Sequence, residues 1–284
     1  MSWNTLISAE ELAGRLADPR LRLFDCRCEL MRPGAGRERY LSGHLPGAVF
    51  ADLDADLSAP TTDTSGRHPL PAPETFAARL RQWGVSPDSQ VVAYDDSGGM
   101  FAARLWWMLR WLGHPAVAVL DGGLQRWQQL ALPVTTGVPR PGAGAFIARV
   151  RPDLGVTANA VSASAADPSR RVLDARAPER YRGDVEPIDR VGGHVPGARN
   201  YPASSSLGSD GRFLPADELR TRLLERLDGV APAQAITMCG SGVTACHVLL
   251  AMERAGLPGA RLYPGSWSEW SRDASRPVAT GATP

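Results

Sequence analysis

The two halves of this 284-residue chain repeat each other in order, and this repeat constrains the fold more than any other feature of the sequence. Four pairs of segments match along the two halves: residues 23–27 with 172–176, 43–48 with 193–198, 91–95 with 234–238, and 120–127 with 263–270. Because the matches keep their order over the whole length, coincidence is a poor explanation. The repeat predicts two domains of the same architecture.

Each half alternates short apolar segments with helical ones, which predicts an α/β fold in which each domain is a mostly parallel sheet flanked by helices. The repeat places an N-terminal domain at residues 1–132 and a C-terminal domain at 156–284. Residues 133–155 are rich in Pro, Gly and Thr and are predicted to form the linker. Residues 105–112 are apolar nearly all round, which indicates a helix packed on a sheet.

Composition and net charge limit which partners and which cellular compartment we expect for this protein. The formal net charge is +1, so no strong field points to nucleic acid or to a membrane surface. No apolar run approaches the length that spans a bilayer, and the first residues lack the charged and apolar blocks of a signal peptide. Four cysteines are too few for a secreted disulfide scaffold. We expect a cytoplasmic protein with no nucleic-acid or membrane partner.

The loop after the apolar segment 235–238 is the strongest candidate site. It holds Cys239 between that predicted strand and a predicted helix, with Gly240 and Gly242 beside it. Glycines let backbone N–H groups converge, and the start of a helix adds the positive end of its dipole. We therefore expect Cys239 to be a nucleophilic thiolate. The alternative is a buried cysteine in an ordinary Gly-rich turn.

The repeat is most informative where it fails. Carrying the match of 91–95 with 234–238 forward places Asp96 opposite Cys239. The first half is therefore predicted to lack the nucleophile, and the second half to be catalytic. His44 and His194 recur in both halves, including the half without the cysteine, so a structural role is expected for them.

Taken together, these residues resemble the tandem rhodanese-domain sulfurtransferases. The resemblance covers nearly the whole chain and is carried by both Gly-His-x-Pro-Gly-Ala segments, the two Asp-x-Arg turns, the Pro-Gly-Ser-Trp segment and the Cys239 loop. It implies an inactive N-terminal domain packed against a catalytic C-terminal one, with the active site between them. It also implies that Cys239 takes sulfur from a small-molecule donor as a persulfide and passes it on, with no cofactor or metal.

The residues after the cysteine indicate the subfamily. Thiosulfate-using rhodaneses typically carry basic residues there, whereas Gly240 and Ser241 are neutral. The loop is similar to that of 3-mercaptopyruvate sulfurtransferases, which implies the release of pyruvate. Substrate-binding positions implied by the same loop are Gly240, Gly242, Val243 and Thr244.

That subfamily also uses a serine–histidine–aspartate set for proton transfer. Ser241 matches the serine, and His68 and Asp54 match the loop of the first half that supplies the other two. A loop histidine beside a proline, and an aspartate that caps its own turn, are the alternative interpretations of His68 and Asp54.

Arginines are expected to bind the substrate carboxylate, because a guanidinium can grip it with two parallel hydrogen bonds. Arg180 matches the principal one. For the second, Arg190 is the candidate and Arg182 a weaker one. The alternative for each is a surface arginine paired with a carboxylate of the segment 184–189.

Three other activities compete with this prediction. The nearest is a thiosulfate:cyanide sulfurtransferase. A cysteine phosphatase would need an arginine at the end of the loop, where Ala245 stands. A non-catalytic sulfur carrier is the third. The expected acceptor is thioredoxin, a small thiol or cyanide, and a monomer is expected. Cys246 is expected to pack in the core, and no role is assigned to Cys26 or Cys28.

Overall fold

The computed structural model describes residues 2–284 and divides into two compact units. The first contains the chain up to Ala59, Leu70–Arg151 and Ser209–Phe213; the second contains Pro60–Pro69, Pro152–Gly208 and Leu214–Pro284. Two short segments, Pro60–Pro69 and Ser209–Phe213, therefore belong to a different unit from the chain on either side of them. No helix within residues 2–284 is long and apolar enough to cross a membrane.

The first unit is built on a five-stranded, all-parallel sheet in the order β1-β5-β4-β2-β3. Its strands are β1 (Leu6–Ile7), β2 (Leu21–Asp25), β3 (Ala48–Phe50), β4 (Gln90–Tyr94) and β5 (Val117–Leu120). Its helices are α1 (Ala9–Ala13), α2 (Ala35–Ser42), α3 (Pro73–Gln82), α4 (Ala102–Trp111) and α5 (Gly123–Gln129). Helix α4 is the predicted apolar helix, and nine of its ten residues are buried.

The second unit repeats this plan with a four-stranded parallel sheet in the order β7-β6-β8-β9. Its strands are β6 (Arg171–Asp174), β7 (Arg199–Asn200), β8 (Ala235–Met238) and β9 (Arg261–Leu262). Its helices are α6 (Ala158–Ala165), α7 (Pro178–Arg182), α8 (Ala216–Leu227), α9 (Thr244–Arg254) and α10 (Ser266–Trp270), with short 3-10 turns at Pro152–Leu154, Ala203–Ser206 and Pro232–Gln234. The predicted fold class is confirmed.

The burial of the central strands explains why their sequences are continuous apolar runs. All four residues of β8 are buried, as are the last four of β4. A parallel strand covered on both faces has no polar side to alternate with its apolar one. This same feature leaves the register of such a strand poorly marked in the sequence.

The repeated polar motifs are structural. Arg27 forms a buried ion pair with Asp25 at 2.6 Å, and its counterpart Arg176 pairs with Asp174 at 2.7 Å. Both arginines also donate to a glycine carbonyl just before a histidine, which ties the turn after the strand to the next segment. His44 and His194 are fully buried and stack on tyrosines, with ring centroids 3.9 and 3.8 Å apart.

The strand pairing corrects the predicted match of Asp96 with Cys239. Asp25 of β2 lies opposite Tyr94, whereas Asp174 of β6 lies opposite Met238. The next residues, Asp95 and Cys239, are therefore equivalent, and the prediction was wrong by one residue. Two uniformly apolar strands can be matched with a one-residue slip because neither alternates.

Asp95 lies at the position that corresponds to Cys239, and backbone N–H groups hold its side chain. Its fully buried carboxylate accepts four backbone N–H bonds of 2.8 to 2.9 Å, from Ser97, Gly99, Phe101 and Ala102. The loop of the first unit thus encloses its own anion at the start of α4. In the second unit the same position carries a thiol.

Candidate active site

Cys239 follows the last residue of β8, and α9 begins five residues later at Thr244. Its side chain is only 2 % exposed, and the backbone N–H of Gly242 donates to Sγ at 3.1 Å. Gly242 has a φ of +76°, and a Cβ there would lie 2.3 Å from the carbonyl oxygen of Pro264. Only glycine fits at this position, because both the dihedral angle and the close backbone exclude a side chain. The backbone donor at sulfur suits a charged nucleophile.

The segment that starts α10 holds the backbone of the cysteine loop. The N–H of Cys239 donates to Ser266 Oγ at 3.0 Å. The N–H groups of Trp267 and Ser268 donate to the carbonyls of Cys239 and Gly240, each at 2.9 Å. Ser266 is fully buried with a φ of +53°, in the left-handed region that favours glycine, and Gly123 stands at its place in the first half. Sequence analysis assigned Ser266 no role, although a serine where the repeat has a glycine was a usable signal.

Two of the four predicted catalytic side chains lie together. His68 Nδ1 is 2.7 Å from Ser241 Oγ, and both residues are buried. The loop that carries His68, Pro60–Pro69, belongs to the second unit. It is held there by the N–H of Arg67, which donates to Ser268 Oγ at 3.0 Å, and by Arg272, which donates to the carbonyl of Thr62 at 2.8 Å.

Asp54 lies in the first unit, in an exposed turn after β3. Its backbone N–H donates to Asp52 Oδ1 at 2.9 Å, and partial desolvation together with the charge of Asp52 raises the pKa of its carboxyl group. Its role as the third member of the set with His68 and Ser241 stays a prediction.

Arg180, on α7, lies against the cysteine loop and is also paired with two acidic residues. Its Nε and Nη2 donate to Glu186 at 3.2 and 2.7 Å, and Nη2 also donates to Asp189 at 3.1 Å. A Cβ at Gly240 would lie 3.5 Å from Arg180 Nη1. Arg180 therefore lies beside the cysteine loop and also forms ion pairs with two carboxylates.

Arg67 is the arginine that sequence analysis missed. It donates through Nη1 to Asp189, and its Nη2 would lie 3.0 Å from a Cβ at Gly240. Arg67 precedes His68 in the chain, but its partner Asp189 is 122 residues away, so no local pattern marked the contact. Among the described residues Arg190 is exposed and makes no hydrogen bond or ion pair, whereas Arg182 pairs with Asp184 at 2.7 Å.

The pKa values of the two carboxylates beside these arginines shift in opposite directions. Burial raises the pKa of Glu186, but hydrogen bonds from Arg180 and from the N–H groups of Asp189 and Ile188 outweigh it, so the net shift is downward. Burial, together with the charge of Glu186, raises the pKa of Asp189, although the adjacent Arg67 and Arg180 lower it. The formal charges of Arg67, Arg180, Glu186 and Asp189 cancel.

The remaining loop and cysteine positions complete the site. Val243 is the residue before α9, Thr244 is its first residue, and Val243 is buried. Cys246 is buried on α9 and its thiol donates to the carbonyl of Gly242 at 3.3 Å, as expected for a core thiol. In the first unit, burial raises the pKa of Cys26, and that of Cys28 to about 12, so both stay protonated. Across residues 2–284 no three His, Cys, Asp or Glu side chains form a group that could hold a metal.

Known proteins share this fold and length. The rhodanese-like domain family matches residues 8–130 and again 157–273. A probable 3-mercaptopyruvate sulfurtransferase of Pseudomonas aeruginosa is 49 % identical over 99 % of this chain and 100 % of its own. A putative thiosulfate sulfurtransferase, SseB of Mycobacterium tuberculosis, is 42 % identical over 97 % of both chains. The crystal structure of the 3-mercaptopyruvate sulfotransferase SseA from Escherichia coli superposes with a TM-score of 0.80 at 37 % identity, covering 95 % of this chain and 100 % of that one.

Two family matches and full-length relatives well above 30 % identity leave one conclusion: the chain belongs to the rhodanese family, as a tandem-domain sulfurtransferase. Within that family it is similar to 3-mercaptopyruvate sulfurtransferases. The resemblance stated from the sequence is confirmed.

Proposed function

We propose that this protein transfers sulfur from 3-mercaptopyruvate to a thiol acceptor or cyanide through a persulfide on Cys239, releasing pyruvate. The observation that carries the proposal is a single cluster in the second unit. Cys239 lies in the loop that leads into α9, Ser241 of the Ser241–His68 pair is two residues further along this loop, and the guanidinium groups of Arg67 and Arg180 lie against Gly240.

The first half-reaction needs a nucleophile and a route for one proton. The Cys239 thiolate attacks the donor sulfur, a sulfur–sulfur bond forms, and the carbon–sulfur bond breaks with its electron pair left on the donor's carbon. The proton of the donor thiol ends on that carbon, so the methyl group of pyruvate is completed. Ser241 and His68, 2.7 Å apart, are suited to take this proton and to return it.

The donor carboxylate is held by the arginines. Guanidinium groups that face the loop can donate to the carboxylate oxygens and so orient the donor sulfur toward Cys239. Backbone N–H groups of Gly240, Gly242, Val243 and Thr244 surround the reacting sulfur in this proposal. The positive end of α9 stabilises the charge that develops there.

The second half-reaction regenerates the thiolate. An acceptor thiolate attacks the outer sulfur of the Cys239 persulfide, the sulfur–sulfur bond breaks, and its electron pair returns to Cys239. Thioredoxin, a small thiol and cyanide can all act in this way. Four cysteines without a disulfide suit a reducing compartment, so we place the enzyme in the cytoplasm, acting as a monomer.

Thiosulfate is the second candidate donor, since one relative at 42 % identity is a putative thiosulfate sulfurtransferase. It differs from 3-mercaptopyruvate in charge, being a dianion rather than a monoanion. The loop itself offers no basic side chain, because Gly240 and Ser241 are neutral. The donor carboxylate and the Ser241–His68 pair are therefore better matched by 3-mercaptopyruvate.

The test is single-turnover labelling. Incubation with 3-mercaptopyruvate should add one sulfur to Cys239 and release one pyruvate, and Cys239→Ser should abolish both, whereas Cys246→Ser should keep both. Persulfide formation undiminished in Cys239→Ser would refute the mechanism, and a higher kcat/KM for thiosulfate would refute the donor. Ser241→Ala should slow turnover of 3-mercaptopyruvate more than that of thiosulfate, because only the former needs proton transfer to carbon.

A further inference from the structure

Asp189 is the one carboxylate of the arginine cluster that contacts both guanidinium groups in the described part of the chain. One of its oxygens accepts from Arg67 Nη1, and the other accepts from Arg180 Nη2 at 3.1 Å. Its side chain is 5 % exposed, so it is fixed between them and largely out of solvent. Glu186, in contrast, contacts Arg180 and Arg176 but not Arg67.

This bridge leaves nitrogens of both arginines available. Arg67 Nη2 and Arg180 Nη1 have no hydrogen-bond partner among the residues that the structure describes. They are also the nitrogens that face Gly240, at 3.0 and 3.5 Å from the position of a Cβ there. A side chain at Gly240 would therefore crowd both nitrogens, whereas glycine places no side chain against them. Asp189 thereby pairs two guanidinium groups into one two-pronged anion site next to Cys239.

The charge of the cluster limits which anions fit. Arg67 and Arg180 bring two positive charges, and Glu186 and Asp189 bring two negative ones. An anion that reaches the two free nitrogens also meets the field of Asp189, which repels a second negative charge about as strongly as the first. Because Asp189 offsets one of the two positive charges, the second charge of a dianion gains less from the site than it would without Asp189.

We propose that Asp189 is a specificity-determining residue that joins Arg67 and Arg180 into one anion site and lowers the affinity of that site for doubly charged donors relative to singly charged ones. The proposal rests on the proposed function, since it takes this cluster to be the donor's anion site. It also assigns the second carboxylate contact to Arg67, a residue of the loop Pro60–Pro69, in place of Arg190.

The test measures anion binding without turnover. In a Cys239→Ala background, calorimetric titration with pyruvate as the monoanion and thiosulfate as the dianion gives the ratio of their dissociation constants. Asp189→Asn keeps the shape of the side chain and removes its charge. We expect it to shift the ratio toward thiosulfate by about tenfold, which corresponds to roughly 1.4 kcal/mol.

Two further variants separate this effect from misfolding and from bulk charge. Asp184→Asn changes the net charge equally within the same segment, but Asp184 is exposed and pairs with Arg182 rather than with Arg67 or Arg180 among the described residues, so the ratio should stay as in the parent. Arg67→Gln should weaken the binding of both anions, whereas Arg190→Gln should weaken neither. Circular dichroism checks that each variant is folded.

The outcomes are decisive in either direction. An unchanged ratio in Asp189→Asn, an equal shift in Asp184→Asn, or loss of binding on Arg190→Gln but not on Arg67→Gln would overturn the inference. Binding of neither anion to the Cys239→Ala parent would also overturn it. Failure of the proposed function would appear separately, as no pyruvate release by the wild-type enzyme, because the titrations involve no sulfur transfer.

Discussion

Ser266 offers the sharpest test of how the fold holds its nucleophile. Its hydroxyl group accepts the N–H of Cys239 at 3.0 Å and donates to the carbonyl of Tyr263 at 2.9 Å, and the residue is fully buried. Ser266→Ala removes both hydrogen bonds and leaves the Cys239 N–H buried without its acceptor. An unsatisfied buried donor costs about 1–3 kcal/mol, and the second bond contributes about 1 kcal/mol. We therefore expect a loss of about 2–4 kcal/mol in the free energy of unfolding.

Ser266→Gly separates the hydroxyl group from the backbone conformation. It loses the same two hydrogen bonds but relieves a left-handed φ of +53°, which costs a side-chain-bearing residue about 1–2 kcal/mol. The greater freedom of glycine in the unfolded chain offsets about 0.5–1 kcal/mol of that gain. The glycine variant should therefore be equal to the alanine variant in stability or better by about 1 kcal/mol.

The assay is calorimetric melting combined with steady-state kinetics. For a unit of this size, a loss of about 2–4 kcal/mol lowers Tm by roughly 5–15 °C. Both variants should also lower kcat/KM for 3-mercaptopyruvate, because the loop backbone loses one of its three anchors to the Pro264–Ser268 segment. Ser271→Ala is the matched control, since its hydroxyl group bonds the carbonyl of Trp267 at the end of α10 rather than the cysteine loop. If Ser266→Ala melts like Ser271→Ala and keeps its kcat/KM, the hydroxyl group does not hold the loop.

Two further predictions concern buried carboxylates. Asp95→Asn should destabilise the first unit by about 2–4 kcal/mol in urea unfolding, because an amide cannot accept four N–H bonds. The control is Asp96→Asn, which should have little effect because Asp96 is partly exposed and paired with Arg39. Equal effects of the two substitutions would contradict the corrected register. Glu186 has a folded pKa below its ordinary value of 4.5, so its contribution to stability is present above that pH and is lost as the pH falls through the folded pKa. The stability difference between the wild type and Glu186→Gln, followed by urea unfolding across pH, should therefore shrink below about pH 4.5, and a difference independent of pH would refute this.

Much of the fold could be predicted from the repeat alone. The alternation of apolar and helical segments indicates parallel sheets, and the helix around Trp106 and Trp107 is buried as its composition predicts. The prediction of Asp96 opposite Cys239 failed for a physical reason, since strands β4 and β8 are buried on both faces and carry no alternation that could fix the register. Hydrogen bonds from Leu124 and Trp267 to the carbonyls of Asp95 and Cys239 reveal the true correspondence.

Some residues of the candidate site could likewise be predicted from the sequence, and others could not. A thiol followed by two glycines in a loop that leads into a helix is a local pattern, so Cys239, Ser241 and Gly242 could be identified from adjacent residues. Arg67 could not, because its partner Asp189 is far along the chain and the ion pair follows from where the loop Pro60–Pro69 folds. Ser266 was visible only as a mismatch with Gly123 until its hydroxyl group was placed on the N–H of Cys239.

The sequence by itself determined the repeat, the parallel α/β architecture, the rhodanese resemblance and the nucleophile, since each depends on the types and order of neighbouring residues. Only the tertiary structure decided that Asp95 fills the equivalent position with a carboxylate, that residues 60–69 pack in the second unit, and that Arg67 lies beside Gly240. These are relations between segments far apart in the chain. They are set by the packing of sheets, helices and loops, which no short stretch of sequence encodes.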